Sequence, residues 1–360
     1  MSKHFKIFLL ALALGALVFS ISRFVAYVSK KDVADAKLTY DYVSPAYHID
    51  RIYKSMQGPS STESFLLGDE NDDELLWITG MRVQMVEADG ATPTSNDFMC
   101  HTNLNFDLNS RKLWSGNVSI SFPRIVTLSQ GQYTMILPKG FGIPVRANEP
   151  LSMMTQALNL NINNPDKRLR HKVTIDYVRD SDLRKPLVPL YTTAAQVLVL
   201  VKGDTPYYKV VNPDPAAHGP GCSLGQAALN GIYKDINGNE FTGHWVVKSG
   251  REINSTSITE NLKLQYDTTI HYIEVHLHPF AESLALVDRT EGKELFRSHA
   301  QNHRDRLGLE RVEYFSSVEG IPIYKDHEYE LVSTYDNKSA ENSDAMAHMV
   351  LFLKDKQFLK

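Results

Sequence analysis

The stretch His271-Tyr272-Ile273-Glu274-Val275-His276-Leu277-His278-Pro279 carries two imidazoles two residues apart in an apolar, β-branched setting. Such a setting predicts a strand, and on a strand residues two apart face the same way. His276 and His278 then lie side by side, with Glu274 and Tyr272 farther along that face. Ile273, Val275 and Leu277 form the opposite, apolar face. A His-x-His pair on a strand is a pincer that suits copper or zinc, since imidazole binds both. Taken alone, the pair also fits two surface histidines on an edge strand. A second stretch, residues 344–353, begins polar and ends apolar, and its pleat puts Met346 and His348 on one face. A thioether beside imidazoles favours copper, above all Cu(I), over zinc. A methionine by itself is more commonly core packing.

These residues need strands to position them, and the sequence supplies many. Short β-branched or aromatic segments bounded by turn residues predict strands at 76–79, 118–122, 133–137, 173–178 and 196–202. More follow at 245–247, 269–278, 284–287, 329–335 and 346–353. Convincing amphipathic helices are scarce. The expected fold class is all-β: two antiparallel, jelly-roll-like β-sandwich domains. The Pro/Gly-rich segment 212–221 (NPDPAAHGPG) marks the boundary between a first domain at 75–211 and a second at 212–360. Residues 32–74, polar and mixed, read as a linker. Their acidic run, Asp69-Glu70-Asn71-Asp72-Asp73-Glu74, lacks regular calcium-ligand spacing and reads as a solvated loop. Asp235-Ile236-Asn237-Gly238-Asn239-Glu240 is better explained as an Asn-Gly hairpin turn than as a calcium loop.

Residues 1–31 open with two lysines and a histidine before an apolar run from Ile7 to Ile21, with Phe24–Val28 beyond Arg23. A basic start and an apolar core describe an export signal. Residues 5–28 are also about long enough to cross a bilayer. An uncleaved signal anchor is favoured over a cleaved signal peptide, because no small-x-small cleavage site is evident. In either case the main domains are expected to be extracytoplasmic. The chain has 360 residues, 42% hydrophobic, with a formal net charge of −4. That is too polar for a polytopic membrane protein. No basic stripe appears, so nucleic acid is not an expected partner. Two cysteines, Cys100 and Cys222, exclude a disulfide-rich scaffold and leave a single bridge between them open.

The stretch 230–354 resembles the C-terminal copper domain of the ascorbate-dependent type II copper monooxygenases, the family of the peptidylglycine α-hydroxylating and dopamine β-monooxygenases. The resemblance rests on His276-Leu277-His278, on Ile321-Pro322-Ile323-Tyr324-Lys325-Asp326-His327-Glu328-Tyr329-Glu330-Leu331, and on Asp344-Ala345-Met346 entering the last strand. It implies a copper held by His276, His278 and Met346, where dioxygen is activated. It also implies an external reductant such as ascorbate. His348, one pleat repeat from Met346, is an additional candidate ligand or a group that orients one.

The first half departs from the family pattern. That pattern has an adjacent His-His pair and a third histidine on a later strand, holding an electron-transfer copper. Here Cys100-His101 stands where the pair is expected, and the later stretch 152–159 contains Met153 and Met154 but no histidine. Cys100 and His101 are therefore either residual copper ligands or remnants of a lost site. The peptide-hydroxylating enzyme grips its substrate's carboxylate with an arginine two residues before the His-x-His. This chain has Glu274 there, so a pocket containing Glu274 would not favour a peptide carboxylate.

Two functions follow. One is an exported, membrane-anchored copper monooxygenase hydroxylating a C–H bond of an unassigned substrate. The other is a non-catalytic extracytoplasmic copper-binding protein: a chaperone, store or sensor. A purely structural sandwich without metal is the third and weakest reading. Among the remaining histidines, His218 reads as part of the interdomain turn and His244 as an edge-strand residue. His299 and His303 are four apart, as on one helical face, in a strongly polar, solvated segment.

Overall fold

A computed structural model describes residues 37–55, 57–107, 123–202 and 232–359. The expected strand at 118–122, the N-terminal export segment, Cys222 and the 212–221 boundary with His218 lie outside the described residues.

The chain is nearly all β. The first half forms β1 (Leu38–Val43), β2 (Tyr47–Ile49), β3 (Ser60–Phe65), β4 (Leu75–Glu87), β5 (Met99–Phe106) and β6 (Arg124–Ser129). It continues with β7 (Thr134–Ile136), β8 (Phe141–Arg146), β9 (Leu151–Ala157), β10 (Lys167–Arg179), β11 (Val188–Gln196) and β12 (Val199–Leu200). The second half forms β13 (Ile232–Lys234), β14 (Glu240–Thr242), β15 (Trp245–Val247), β16 (Gly250–Ser257), β17 (Thr268–Leu277) and β18 (Ala281–Asp288). It ends with β19 (Lys293–Asn302), β20 (Leu309–Val312), β21 (Phe315–Ile323), β22 (Tyr329–Asn337), β23 (Ser343–Ala345) and β24 (Ala347–Lys354). Among the described residues a short α-helix, Thr259–Leu262, precedes β17. Among the described residues no helix is long and apolar enough to cross a membrane.

In the first half the sheet β1-β10-β4-β8 packs over β3-β9-β5-β6. In the second, β11-β24-β17-β21 packs over β16-β22-β18-β19-β20. A two-residue parallel pairing, Val188 with Phe141 and Pro189 with Gly142, joins β8 of the first half's sheet to β11 of the second's, edge to edge. The apolar side chains divide into two cores, and strands β17 and β24 feed both. Ile273, Val275, Leu277, Met349, Leu351 and Leu353 enter the second core, while Tyr272, Val350 and Phe352 enter the first. Both faces of this strand pair are therefore covered, which explains its near-continuous apolar text. Beyond the bulge between Ile270 and Tyr272, the face of β17 that carries Tyr272, Glu274 and His276 looks into the first half of the chain, whereas Ile270 enters the second core.

Polar contacts stitch that seam. The Thr127 N–H donates to Glu274 Oε1 at 2.6 Å, and Gln132 Nε2 donates to the Tyr272 hydroxyl at 3.0 Å. The Leu309 N–H donates to Gln130 Oε1 at 2.9 Å, and the Val312 N–H to the Gly131 carbonyl at 3.0 Å. Gly131 has a φ of +88°, and a Cβ there would lie 2.9 Å from Val312 Cγ2. Only glycine lets the two halves approach so closely at this point.

Several expectations change. Residues 32–74 are not simply a linker, because they contribute β1, β2 and β3. Leu38, Tyr40 and Tyr42 alternate with polar residues, and β1 pairs with β10 over six residues. That two-residue period was masked by the turn-rich and acidic stretches that follow. Strand β11 falls within the expected first domain, yet it pairs with β24 over seven residues and so extends the second half's sheet. The predicted strand at 196–202 is interrupted, with only Val199–Leu200 forming β12. His299 lies on β19 and His303 just past it, so their spacing is not helical. The Asn-Gly turn does connect a hairpin: β13 pairs with β14, and Gly238 has a φ of +81°. In the acidic run, Asp69 and Asp72 cap the loop's own backbone N–H groups.

Candidate metal centre

Strands β17 and β24 are antiparallel neighbours, with His276 opposite His348 and Glu274 opposite Val350. His276 is 7% exposed, and neither of its ring nitrogens has a hydrogen-bond partner among the described residues. Each such orphaned polar atom costs ~1–3 kcal/mol when buried. Burial, then the neighbouring His278, His101, His348 and Arg124, hold the His276 pKa well below the ordinary imidazole range. Burial and Arg124 likewise depress His348, to about 3. These rings are neutral near pH 7, the form in which imidazole binds metals.

The His278 ring stands nearly perpendicular to that of His276, with centroids 5.1 Å apart. Its Nδ1 lies 2.7 Å from Asp344 Oδ2, while its Nε2 has no hydrogen-bond partner among the described residues. Although short, the Nδ1–Oδ2 contact lacks hydrogen-bond geometry. His244, just before β15, is fully buried and places Nε2 3.5 Å from the same carboxylate oxygen. The donor atoms of His244, His278 and Asp344 all lie within 4.8 Å of one another. Burial alone would raise the Asp344 pKa, but the adjacent imidazoles, His278 above all, hold it well below the carboxylate range.

Met346 is buried at the junction of β23 and β24. The Tyr335 hydroxyl donates to the Met346 carbonyl at 2.6 Å and accepts from the His278 N–H at 3.2 Å. One buried tyrosine on β22 thus ties together the backbones of two predicted ligands.

The first half faces this group. His101, on β5, has its ring centroid 6.3 Å from that of His276. Burial, then the Arg124 charge, lower the His101 pKa to about 3. Arg124 opens β6 and is 1% exposed; its guanidinium donates to Asn105 Oδ1 at 2.7 Å and Thr127 Oγ1 at 2.9 Å. Cys100 is buried beside His101. Strand β9 runs along β5 with Gln156 opposite His101, Thr155 opposite Thr102 and Met154 opposite Asn103. Glu274 is fully buried, with its pKa held well above the carboxylate range by burial, and its Oε1 is committed to Thr127. It lies at the seam between the halves.

The structure therefore brings His276, His278, His348 and His101 into one buried region and adds His244, which the sequence placed on an edge. It also adds His171, on β10, whose Nδ1 lies 2.8 Å from Thr102 Oγ1. A usable signal for His171 existed: it keeps the two-residue phase of the inward-facing Leu169, Val173 and Ile175. No comparable local signal marks Arg124 or Asp344.

Chemically, the region offers buried neutral imidazoles and one ionised carboxylate, with Met346 and Cys100 also buried, a donor set suited to a transition metal. A cleft of 510 Å³ between the halves reaches Asp344, with Ile52 and Leu160 on one side and Phe280 and Arg304 on the other.

No protein-family model and no curated protein matches the chain. Among solved structures, it is similar to a peptide-N(4)-(N-acetyl-β-D-glucosaminyl)asparagine amidase at 8% identity and a TM-score of 0.35, over 89% of this chain and 98% of that one. It is similar to PNGase F, a glycosylasparaginase from Flavobacterium meningosepticum, at 8% identity and a TM-score of 0.38, over 90% and 98%. For PNGF-II the values are 7% and 0.34, over 88% and 65%. At these TM-scores the likeness carries no functional implication.

Proposed function

We propose that this chain is an exported, membrane-anchored, copper-dependent monooxygenase-like protein that hydroxylates a C–H bond. On this reading His276, His278 and Met346 hold the metal, and the two halves are jelly-roll-like sandwiches behind an N-terminal helical anchor. The observation that carries it is His276: a buried, neutral imidazole with both nitrogens unpartnered, beside the open Nε2 of His278. Coordination would remove that desolvation cost, so the residues present fit a bound metal. Copper bound there would supply one-electron redox chemistry toward dioxygen, with ascorbate or a similar external reductant as electron source. The chain's own part is positional. Tyr335 fixes the backbones of His278 and Met346, the register of β17 with β24 sets His348 opposite His276, and His101 of the first half lies over the buried His276.

A second reading is a copper-binding protein without turnover. It is favoured by the enclosure of the histidine face, since His276 and His101 are both nearly inaccessible.

The test is anaerobic Cu(I) loading of the purified chain beside His276→Ala/His278→Ala. At least one copper per chain, reduced by one in the double variant, is the expected result. Unchanged binding would remove the assigned site. Oxygen consumption with ascorbate then separates the two readings.

A further inference from the structure

We infer a second metal position, formed by His244, His278 and Asp344, that takes a divalent cation of the zinc class. It does not rest on the copper reading, because it uses the opposite nitrogen of His278. The three side chains come from three separate places: the turn before β15, the residue after β17, and β23. All are buried, and one donor atom from each lies within 4.8 Å of the other two.

The two spacings to Asp344 bracket that expected of ligands around an ion. With metal–ligand bonds of ~2.0–2.2 Å, two donors at a tetrahedral angle lie about 3.3 Å apart. The contacts to Asp344 Oδ2 are 2.7 Å from His278 Nδ1 and 3.5 Å from His244 Nε2, on either side of that value. The shorter one lacks hydrogen-bond alignment, as when lone pairs converge instead of a donor facing an acceptor. Pairing of β15 with β23 fixes the arrangement, setting Trp245 opposite Ala345 and Val246 opposite Asp344.

The donor set is harder than that of the copper position: two imidazoles and a carboxylate, without sulfur. Such a set suits Zn2+, and three protein ligands leave a fourth place for water or substrate, as in catalytic zinc sites. Of the three residues only Asp344 lines the cleft, which makes that the side from which an ion and a fourth ligand would enter. His278 would then serve this position through Nδ1, which lies beside Asp344, and keep its unpartnered Nε2 for the other.

The experiment uses the full chain stripped of metal and loaded with Zn2+ or Co2+ alone. One Zn2+ per chain is expected, with affinity reduced at least 100-fold in Asp344→Asn and in His244→Gln and retained in His276→Ala. Co2+ should give the intense visible bands of a four-coordinate ion, absent from the first two variants. Zn2+ binding indifferent to His244 and Asp344, or lost equally in His276→Ala, would overturn the inference. If either variant fails to fold, as judged by circular dichroism, X-ray absorption of the wild-type Zn2+ complex decides. Two imidazoles with oxygen ligands support the position, whereas three imidazoles or a sulfur ligand overturn it.

Discussion

Tyr335→Phe tests how the candidate centre is held. The substitution keeps the ring, its edge-to-face contact with Trp245 at 5.6 Å and its place in the second core, so no cavity opens. It removes only the hydroxyl, which bonds the Met346 carbonyl at 2.6 Å and the His278 N–H at 3.2 Å. Both backbone groups would be left buried without this partner. An orphaned buried group costs ~1–3 kcal/mol, and the 3.2 Å bond is the weaker, so the loss should total about 2–4 kcal/mol. Urea unfolding of the metal-free chain reads this as a lower midpoint with an unchanged slope. Removing a group that orients metal ligands typically lowers affinity 10–100-fold, so Cu(I) competition against a chelator should show a drop of that order. Tyr329→Phe is the control. Among the described residues its hydroxyl bonds Tyr324, accepting from the N–H at 2.7 Å and donating to the carbonyl at 3.0 Å. It should lower stability without touching Cu(I) affinity. A Tyr335→Phe protein within ~0.5 kcal/mol of wild type and with unchanged Cu(I) affinity would refute the reasoning.

Two further expectations concern the fold around the centre. Burial lowers the His171 pKa from 6.5 to about 3. The unfolded chain therefore binds more protons between those values, and the contribution present above pH 6.5 is lost as pH falls toward 3. Metal-free protein should lose stability on acidification through that window, at up to ~1.4 kcal/mol per pH unit for this group, and His171→Gln should flatten the slope. An identical slope in urea titrations at several pH values would show that His171 is not buried neutral. At Gly58, an added Cβ would sit 1.9 Å from the Ala157 carbonyl oxygen, which is fixed backbone at the end of β9. Gly58→Ala should cost about 1–3 kcal/mol through forced backbone movement, read as a lower melting temperature. An unchanged melting temperature would place the 58–157 approach elsewhere.

The strand carrying His276 and His278 was legible because a pleat has a period of two. Alternation along 269–278 assigns the two histidines, Glu274 and Tyr272 to one face without knowledge of any partner. The same holds for Met349, Leu351 and Leu353 against His348 and Val350, and for the Asn-Gly hairpin, whose φ demands are local. Strands at 245–247 and 329–335 were found for the same reason. Residues 38–49 were missed because the alternation is short and lies beside turn-rich text, so tertiary pairing with β10 decides it.

What the sequence determined by itself is the all-β character and which side chains share a face on each strand. Both follow from steric and solvation preferences that act within a few residues. What only the tertiary structure decided is what covers the histidine face. It meets β5 and β6, bringing His101 and Arg124, rather than solvent. It likewise decided that His244 and Asp344 converge on His278. A strand's pattern says that a face is inward, but not which distant strand it meets. That choice is made by the packing of whole sheets, whose energy is spread over contacts between residues far apart in the chain.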